Sequence, residues 1–214
     1  QESRGLGDVY KRQIKLELLK SQINPHFLFN TLNVISGMAK LEEAETTEKM
    51  ILALSSLFRY NLKTPEQSVP LAKELKVVAD YMYLQQMRFG ERIRYELNCK
   101  VEQELVMVPA FTFQPLVENA IRHGIYRKGR KGGTVSIRTE TLEKYNLITI
   151  KDDGVGFDYQ KVRDEVERGE RDSIGLDNVI FRLKKQLHAN IVIKSEIGVG
   201  TEIAVSVPRE RKKE

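Results

Sequence analysis

Apolar residues recur every three or four positions in the first part of the chain. Ile14, Leu18, Leu19 and Ile23, then Leu28, Leu32 and Ile35, fall on one stripe of a helix running from Ile14 to about Lys40. Pro25 interrupts it. A proline inside a helix removes a backbone donor and clashes with the carbonyl four residues back, so a kink is expected just before His26. The polar 42–47 stretch turns the chain into a second periodic segment, Met50 to Leu62, whose Ile51, Leu52, Leu54, Leu57 and Phe58 cover more than one stripe. Such a segment has more apolar surface than one partner helix covers. It predicts a helical hairpin that pairs with a second copy as a four-helix bundle; the alternative is a monomer whose hairpin packs on the following domain.

Prolines 65 and 70 punctuate a joint near 63–70. Beyond it LAKELKVVADYMYLQQMRFG reads as a long helix ended by Gly90. Ile93–Lys100 alternates like a strand, Pro109–Gly124 reads as a helix, and Thr134–Leu142 with Leu147–Lys151 as a hairpin. Ile174–His188 is again helical, and Ile191–Ser195 with Glu202–Val207 alternate as closing strands. Helices interleaved with hairpin-linked strands predict an α+β sandwich, with helices over one face of a mixed sheet. The expected division is 14–66 for the helical part, 67–208 for the sandwich and 209–214 for a solvated charged tail.

Composition narrows the function classes. Of 214 residues 41% are hydrophobic and 30% charged, which is ordinary for a folded chain with a real core. No apolar run approaches the ~20 residues that cross a bilayer, and no signal-peptide layout opens the chain, so a soluble, cytoplasmic piece is expected. A net charge of +5 is spread among acids, which argues against nucleic acid. The single Cys99 forms no internal disulfide and reads as packing. Residues 1–13, with GDVYKRQ, resemble the translation of a sequencing adaptor and are set aside; the natural chain is expected to continue upstream, where any membrane attachment would lie.

Four boxes carry chemistry. In FQPLVENAIRHG, Leu116, Val117, Ala120 and Ile121 mark a buried face, while Glu118, Asn119, Arg122 and His123 share the other. An asparagine oxygen is a hard ligand suited to Mg²⁺, a neighbouring glutamate can orient water or a proton, and an arginine one turn on can meet phosphate. A solvated charged face is the competing reading. In KDDGVGF, Asp152 closes an apolar strand where a carboxylate can accept from an exocyclic amine such as that of adenine, and Gly154 and Gly156 let backbone approach a ligand. In SIGLDNVIFRL, Gly175 opens a helix, with Leu176 and Asn178 in its first turn, whose free amides suit phosphate. In EIGVGTEI, Gly198, Gly200 and Thr201 turn into the last strand. Each box alone is weak, but their order is specific, and it matches neither a Walker loop nor a protein-kinase glycine-rich strand.

NPHFLFN, RFGERI, QPLVENAIRHG, DDGVGF and IGLDNV, in this order from about Ile14 to Pro208, resemble the sensor histidine kinases of the LytS/YehU type. The resemblance implies a histidine-bearing dimerisation hairpin followed by a Bergerat-fold ATPase domain. It implies ATP and Mg²⁺ as cofactors, His26 as phosphoacceptor, Asn119 as Mg²⁺ ligand, Glu118 as its acid–base neighbour and Asp152 as the adenine contact. Gly154, Gly156, Gly175, Gly198, Gly200 and Thr201 would shape the nucleotide pocket. The implied partners are a second copy of the chain and a response regulator, whose receiver aspartate takes the phosphoryl group. Two departures concern the lid: Ser173 stands where related ATPases often have a glycine, and Tyr159–Asp172 is short and charged. Phe27 follows the histidine where better-known kinases carry an acid, so the base must lie elsewhere, with Glu118 the best candidate. His123 and His188 are rival histidines, expected to be structural or ligand-adjacent. The competing classes are a nucleotide-binding scaffold without turnover and a Bergerat ATPase that drives conformational change.

Overall fold

A computed structural model describes residues 24–63, 68–102, 104–168 and 175–209. The chain forms two compact units that divide between Leu62 and Lys63.

The first unit holds two helices, α1 (Pro25–Leu41) and α2 (Glu45–Lys63). The expected kink at Pro25 is not what forms. Asn24 has extended backbone (φ −71°, ψ 103°) and its side chain caps α1, so Pro25 occupies the first helical turn, where a missing N–H costs nothing. The part of the expected helix before Asn24 lies outside the described residues. Phe29, Leu32, Ser36 and Ala39 of α1 and Ala53, Leu57 and Tyr60 of α2 are buried, and the Arg59 guanidinium sits 5.0 Å over the Phe29 ring. A second stripe on α1 stays open: Phe27, Val34, Met38 and Leu41 are all at least half exposed.

The second unit begins with β1 (Ser68–Pro70) and α3 (Leu71–Phe89), continues through β2 (Ile93–Cys99) and β3 (Met107–Pro109), and reaches α4 (Phe113–Asn119). Next come β4 (Gly133–Thr141), β5 (Tyr145–Asp152), α5 (Tyr159–Glu167), α6 (Gly175–Leu187), β6 (Asn190–Glu196) and β7 (Gly200–Pro208). The five-stranded sheet has the order β2-β4-β5-β7-β6; β2 and β4 run parallel and the other pairs antiparallel. β1 and β3, too short to carry a periodic signal, pair separately.

Period-two alternation puts Val135, Ile137, Ile148, Ile150, Ile203 and Val205 on the buried face, while Arg138 and Lys151 face water. Over that face pack Leu75, Val78 and Met82 of α3, Phe113, Leu116 and Val117 of α4, and Val179 and Leu183 of α6. This is the α+β sandwich with a mixed sheet that the sequence predicts. Pro109–Gly124 is not one α-helix, however. α4 runs into a π-helical turn, Ala120–Ile125, and then a 3₁₀ turn, Tyr126–Lys131. Among the described residues no helix is long and apolar enough to cross a membrane.

Candidate functional site

The same alternation that buries Ile148 and Ile150 carries Asp152 to the inner face at the end of β5. There it floors a cavity of about 230 Å³. Leu116, Ala120, Ile150, Phe157, Val162, Leu176 and Ile203 make the wall mostly apolar, and Asn119, His123, Gly124, Arg127, Gly156 and Thr201 complete it. Burial raises the Asp152 carboxyl to about 6, against the amides of Gly154 and Thr201, which hold it down. A mostly apolar cavity with one carboxylate at its base suits a heteroaromatic ring bearing an exocyclic amine.

The two adjacent aspartates have separate tasks. Asp152 Oδ1 accepts from Gly154 N at 2.8 Å and stays at the cavity. Asp153 Oδ1 accepts from Thr134 N at 2.9 Å, and Lys128 Nζ lies 3.3 Å away, so this carboxylate ties β4 to the turn after the π-helical segment.

Close backbone approach forms the floor. Val155 N donates to Gly124 O at 3.2 Å, and a methyl group on Gly124 would stand 2.7 Å from Asp152 Oδ1. The π-helical turn, a geometry frequent at functional sites, delivers that glycine. Gly200, at φ 129°, lets β7 start directly against the Asp152 carbonyl, where no Cβ fits. Ser195 finishes this corner: its hydroxyl accepts from Phe157 N at 2.9 Å and lies 2.9 Å from the Thr201 hydroxyl, fixing two wall residues.

Of the residues anticipated from sequence, Asn119, His123, Asp152, Gly156, Leu176 and Thr201 come together in the wall. Gly154 and Gly200 brace Asp152 from behind, and Gly198 N ties the last turn to Val155 O at 2.7 Å. Gly175 opens α6. Arg122 and Asn178 are exposed and outside the wall, as is His188 beyond the end of α6. Ser173 and the end of the charged 159–172 segment lie outside the described residues; Tyr159–Glu167 is the helix α5. Glu118 is half-buried beside the wall, with its Oε1 accepting from Gln114 Nε2 at 2.9 Å. Tyr81 lies near enough that burial first, and then the Glu118 charge, raise its phenol. Sequence reasoning missed Arg127, Gly124 and Ser195. The cation run 127–131 was the only local sign of the first.

In the first unit His26 stands exposed in the first turn of α1. Asn24 Oδ1 accepts from His26 N at 3.1 Å and Phe27 N at 3.2 Å, and the Asn30 amide nitrogen lies 3.2 Å from the imidazole Nδ1. All of these contacts are local.

Among the described residues no three His, Cys, Asp or Glu side chains converge to hold a metal. Asn119 offers a single neutral oxygen, which suits Mg²⁺ shared with ligand phosphates and water rather than a cage of protein carboxylates.

The sequence matches the family described as histidine kinase over residues 14–93, and the histidine kinase-, DNA gyrase B- and HSP90-like ATPase family over 110–211. The sensor histidine kinase YpdA of Escherichia coli is 37% identical over 203 residues, which is 92% of this chain and 34% of that protein. The sensor protein LytS of Bacillus subtilis is 32% identical over 95% of this chain and 35% of its own length. The chain therefore spans about a third of these relatives. The histidine kinase domain of a blue-light activated histidine kinase from Erythrobacter litoralis superposes with a TM-score of 0.50 at 16% identity, covering 86% of this chain and 93% of that one. The catalytic domain of histidine kinase ThkA does so at 0.50 and 12%, covering 66% and 95%. Two successive family matches and relatives that match over nine-tenths of this chain agree with the fold and the motif order: the chain belongs to the sensor histidine kinases.

Proposed function

We propose that this chain is a kinase core that phosphorylates His26 from ATP with Mg²⁺ and passes the phosphoryl group to an aspartate on the receiver domain of a response regulator. In this reading Asp152 accepts the adenine amine and the apolar wall encloses the ring. Asn119 holds Mg²⁺, which neutralises phosphate charge; phosphoryl transfer depends chiefly on such positioning and neutralisation. Arg127 on the wall, with Arg122, supplies further cationic charge. A ring nitrogen of His26 attacks the γ-phosphorus, an N–P bond forms as the bond to the ADP oxygen breaks, and Glu118 accepts the imidazole proton. In the second step the N–P bond breaks as the receiver carboxylate takes the phosphoryl group. The open apolar stripe Phe27, Val34, Met38 and Leu41 supports a homodimer through the hairpin. The kinase core would lie in the cytoplasm, joined to a membrane sensor through sequence matching the remainder of the relatives.

The observation that carries this reading is the presence, in one chain, of a carboxylate-floored apolar cavity and a solvent-exposed histidine on a capped helix. Labelling with γ-phosphate-marked ATP tests it. The label is expected to be acid-labile and alkali-stable, as a phosphoramidate is, and to vanish in His26→Gln while ATP binding persists. Acid-stable label, or undiminished label in that variant, places the acceptor elsewhere. ATP hydrolysis without labelled protein would identify a conformational ATPase instead.

A further inference from the structure

The start of α4 is held in an unusual way. A helix leaves its first amides without intrahelical acceptors, and a local Ser, Thr, Asn or Asp side chain normally takes them. Thr112 is in that position but makes no cap; its hydroxyl donates to Pro109 O at 2.6 Å. The cap comes from α3. Glu74, 1% exposed, accepts from Phe111 N, Thr112 N and Phe113 N, each at 2.8 Å. The Arg182 guanidinium of α6 grips the same segment, donating to Ala110 O at 2.7 Å and Phe111 O at 2.6 Å. Between these grips Phe111 adopts φ 60°, a conformation a phenylalanine rarely takes unless its surroundings impose it.

The geometry points to Glu74 and Arg182 as positioning residues that set the placement of α4, and with it Asn119 and Glu118, for the metal-bearing end of the nucleotide. Both α4 and α6 reach the cavity, through Leu116 and Asn119 on one and Leu176 on the other. Arg182 lies in the second turn after Leu176 on the same helix, so a ligand that seats the start of α6 acts through a bidentate fork on the segment from which α4 begins. Asp152 is held chiefly by Gly154 and the β5–β7 pairing, outside the clamped segment, although Gly124, which lies against it, continues the helix that begins with α4. The clamp therefore bears more on the phosphate and metal end of the site than on the carboxylate of the adenine end. This rests on the reading of Asn119 as the Mg²⁺ ligand.

The test is titration calorimetry on the full chain with adenosine, with ATP in EDTA and with ATP in MgCl₂, at a temperature where circular dichroism shows each variant folded. Arg182→Lys keeps the charge but loses the fork. It is expected to bind adenosine within about twofold of wild type while its Mg²⁺-dependent gain in ATP affinity shrinks at least about fivefold. Glu74→Gln is expected to show the same split; should it not fold, Arg182→Lys decides alone. An unchanged Mg²⁺-dependent gain in Arg182→Lys overturns the clamp, and so does an equal loss for adenosine and Mg-ATP, which marks general structural damage. A wild-type protein with no Mg²⁺-dependent gain overturns the Asn119 reading, and the clamp proposal falls with it.

Discussion

The two units present their candidate functional groups in opposite ways. His26 stands in solvent and, among the described residues, is held by neighbours within four residues, Asn24 and Asn30. Asp152 is buried at the bottom of a cavity assembled from segments between Leu116 and Ile203. In the proposed reaction His26 is reached by a donor and then by a receiver, which needs exposure and a stiff local mount. A group that must discriminate one ring needs desolvation, because only then is its hydrogen bond worth more than the one water offers. The difference implies that changes at Asp152 propagate through packing, while those at His26 stay local.

The largest expected effect is at Asp152, the proposed adenine contact. Asp152→Asn replaces a charged acceptor with a neutral amide and is expected to weaken ATP and ADP alike by about 10- to 100-fold, read by titration calorimetry, whereas His26→Gln leaves both unchanged. Acidification should imitate the variant. The carboxyl titrates at about 6 because it is buried, so affinity in wild type should fall by about tenfold per unit as pH drops below 6. Its effect on folding has the opposite sign. With a folded value above the ordinary 3.8, the group contributes stability that is complete below 3.8 and lost as pH rises through 6. Asp152→Asn should abolish both dependences; a flat affinity profile in wild type would remove Asp152 from the ligand contact.

Glycine substitutions sharpen the comparison. Gly124→Ala drives a methyl into the Asp152 carboxylate and is expected to cost about 1–3 kcal/mol of stability in urea unfolding, with weaker adenosine binding. In the first unit the comparable test reads the cap: Asn24→Ala should cost about 1 kcal/mol and loosen the turn that carries His26, seen as faster amide exchange at His26 and Phe27. The smallest effect should be stabilising. Gly37 lies inside α1 with nothing within 4 Å of an added methyl, so Gly37→Ala should raise stability by about 0.5–1 kcal/mol. A loss instead would mean that a partner surface closes on that helix face.

Much of this protein is written in local pattern. Helical and alternating periodicity located the hairpin, the long α3 and the strands β2, β4, β5, β6 and β7, because a sheet covered on one face must alternate and a packed helix must carry a stripe. The order of the glycine and acidic boxes pointed to the family and to Asn119, Asp152, Gly156 and Thr201, which line one cavity because their own segments carry them there. What sequence could not decide depends on groups distant in the chain. Gly124 looks like a helix end until a π-helical turn sets it against Asp152, and Arg127 looks like surface charge until that turn brings it to the cavity. The cap of α4 comes from Glu74, 38 residues before Thr112. A buried carboxylate and an arginine that meet across one backbone segment leave no periodic trace, because what selects them is the need to satisfy amides and carbonyls that only the folded chain buries.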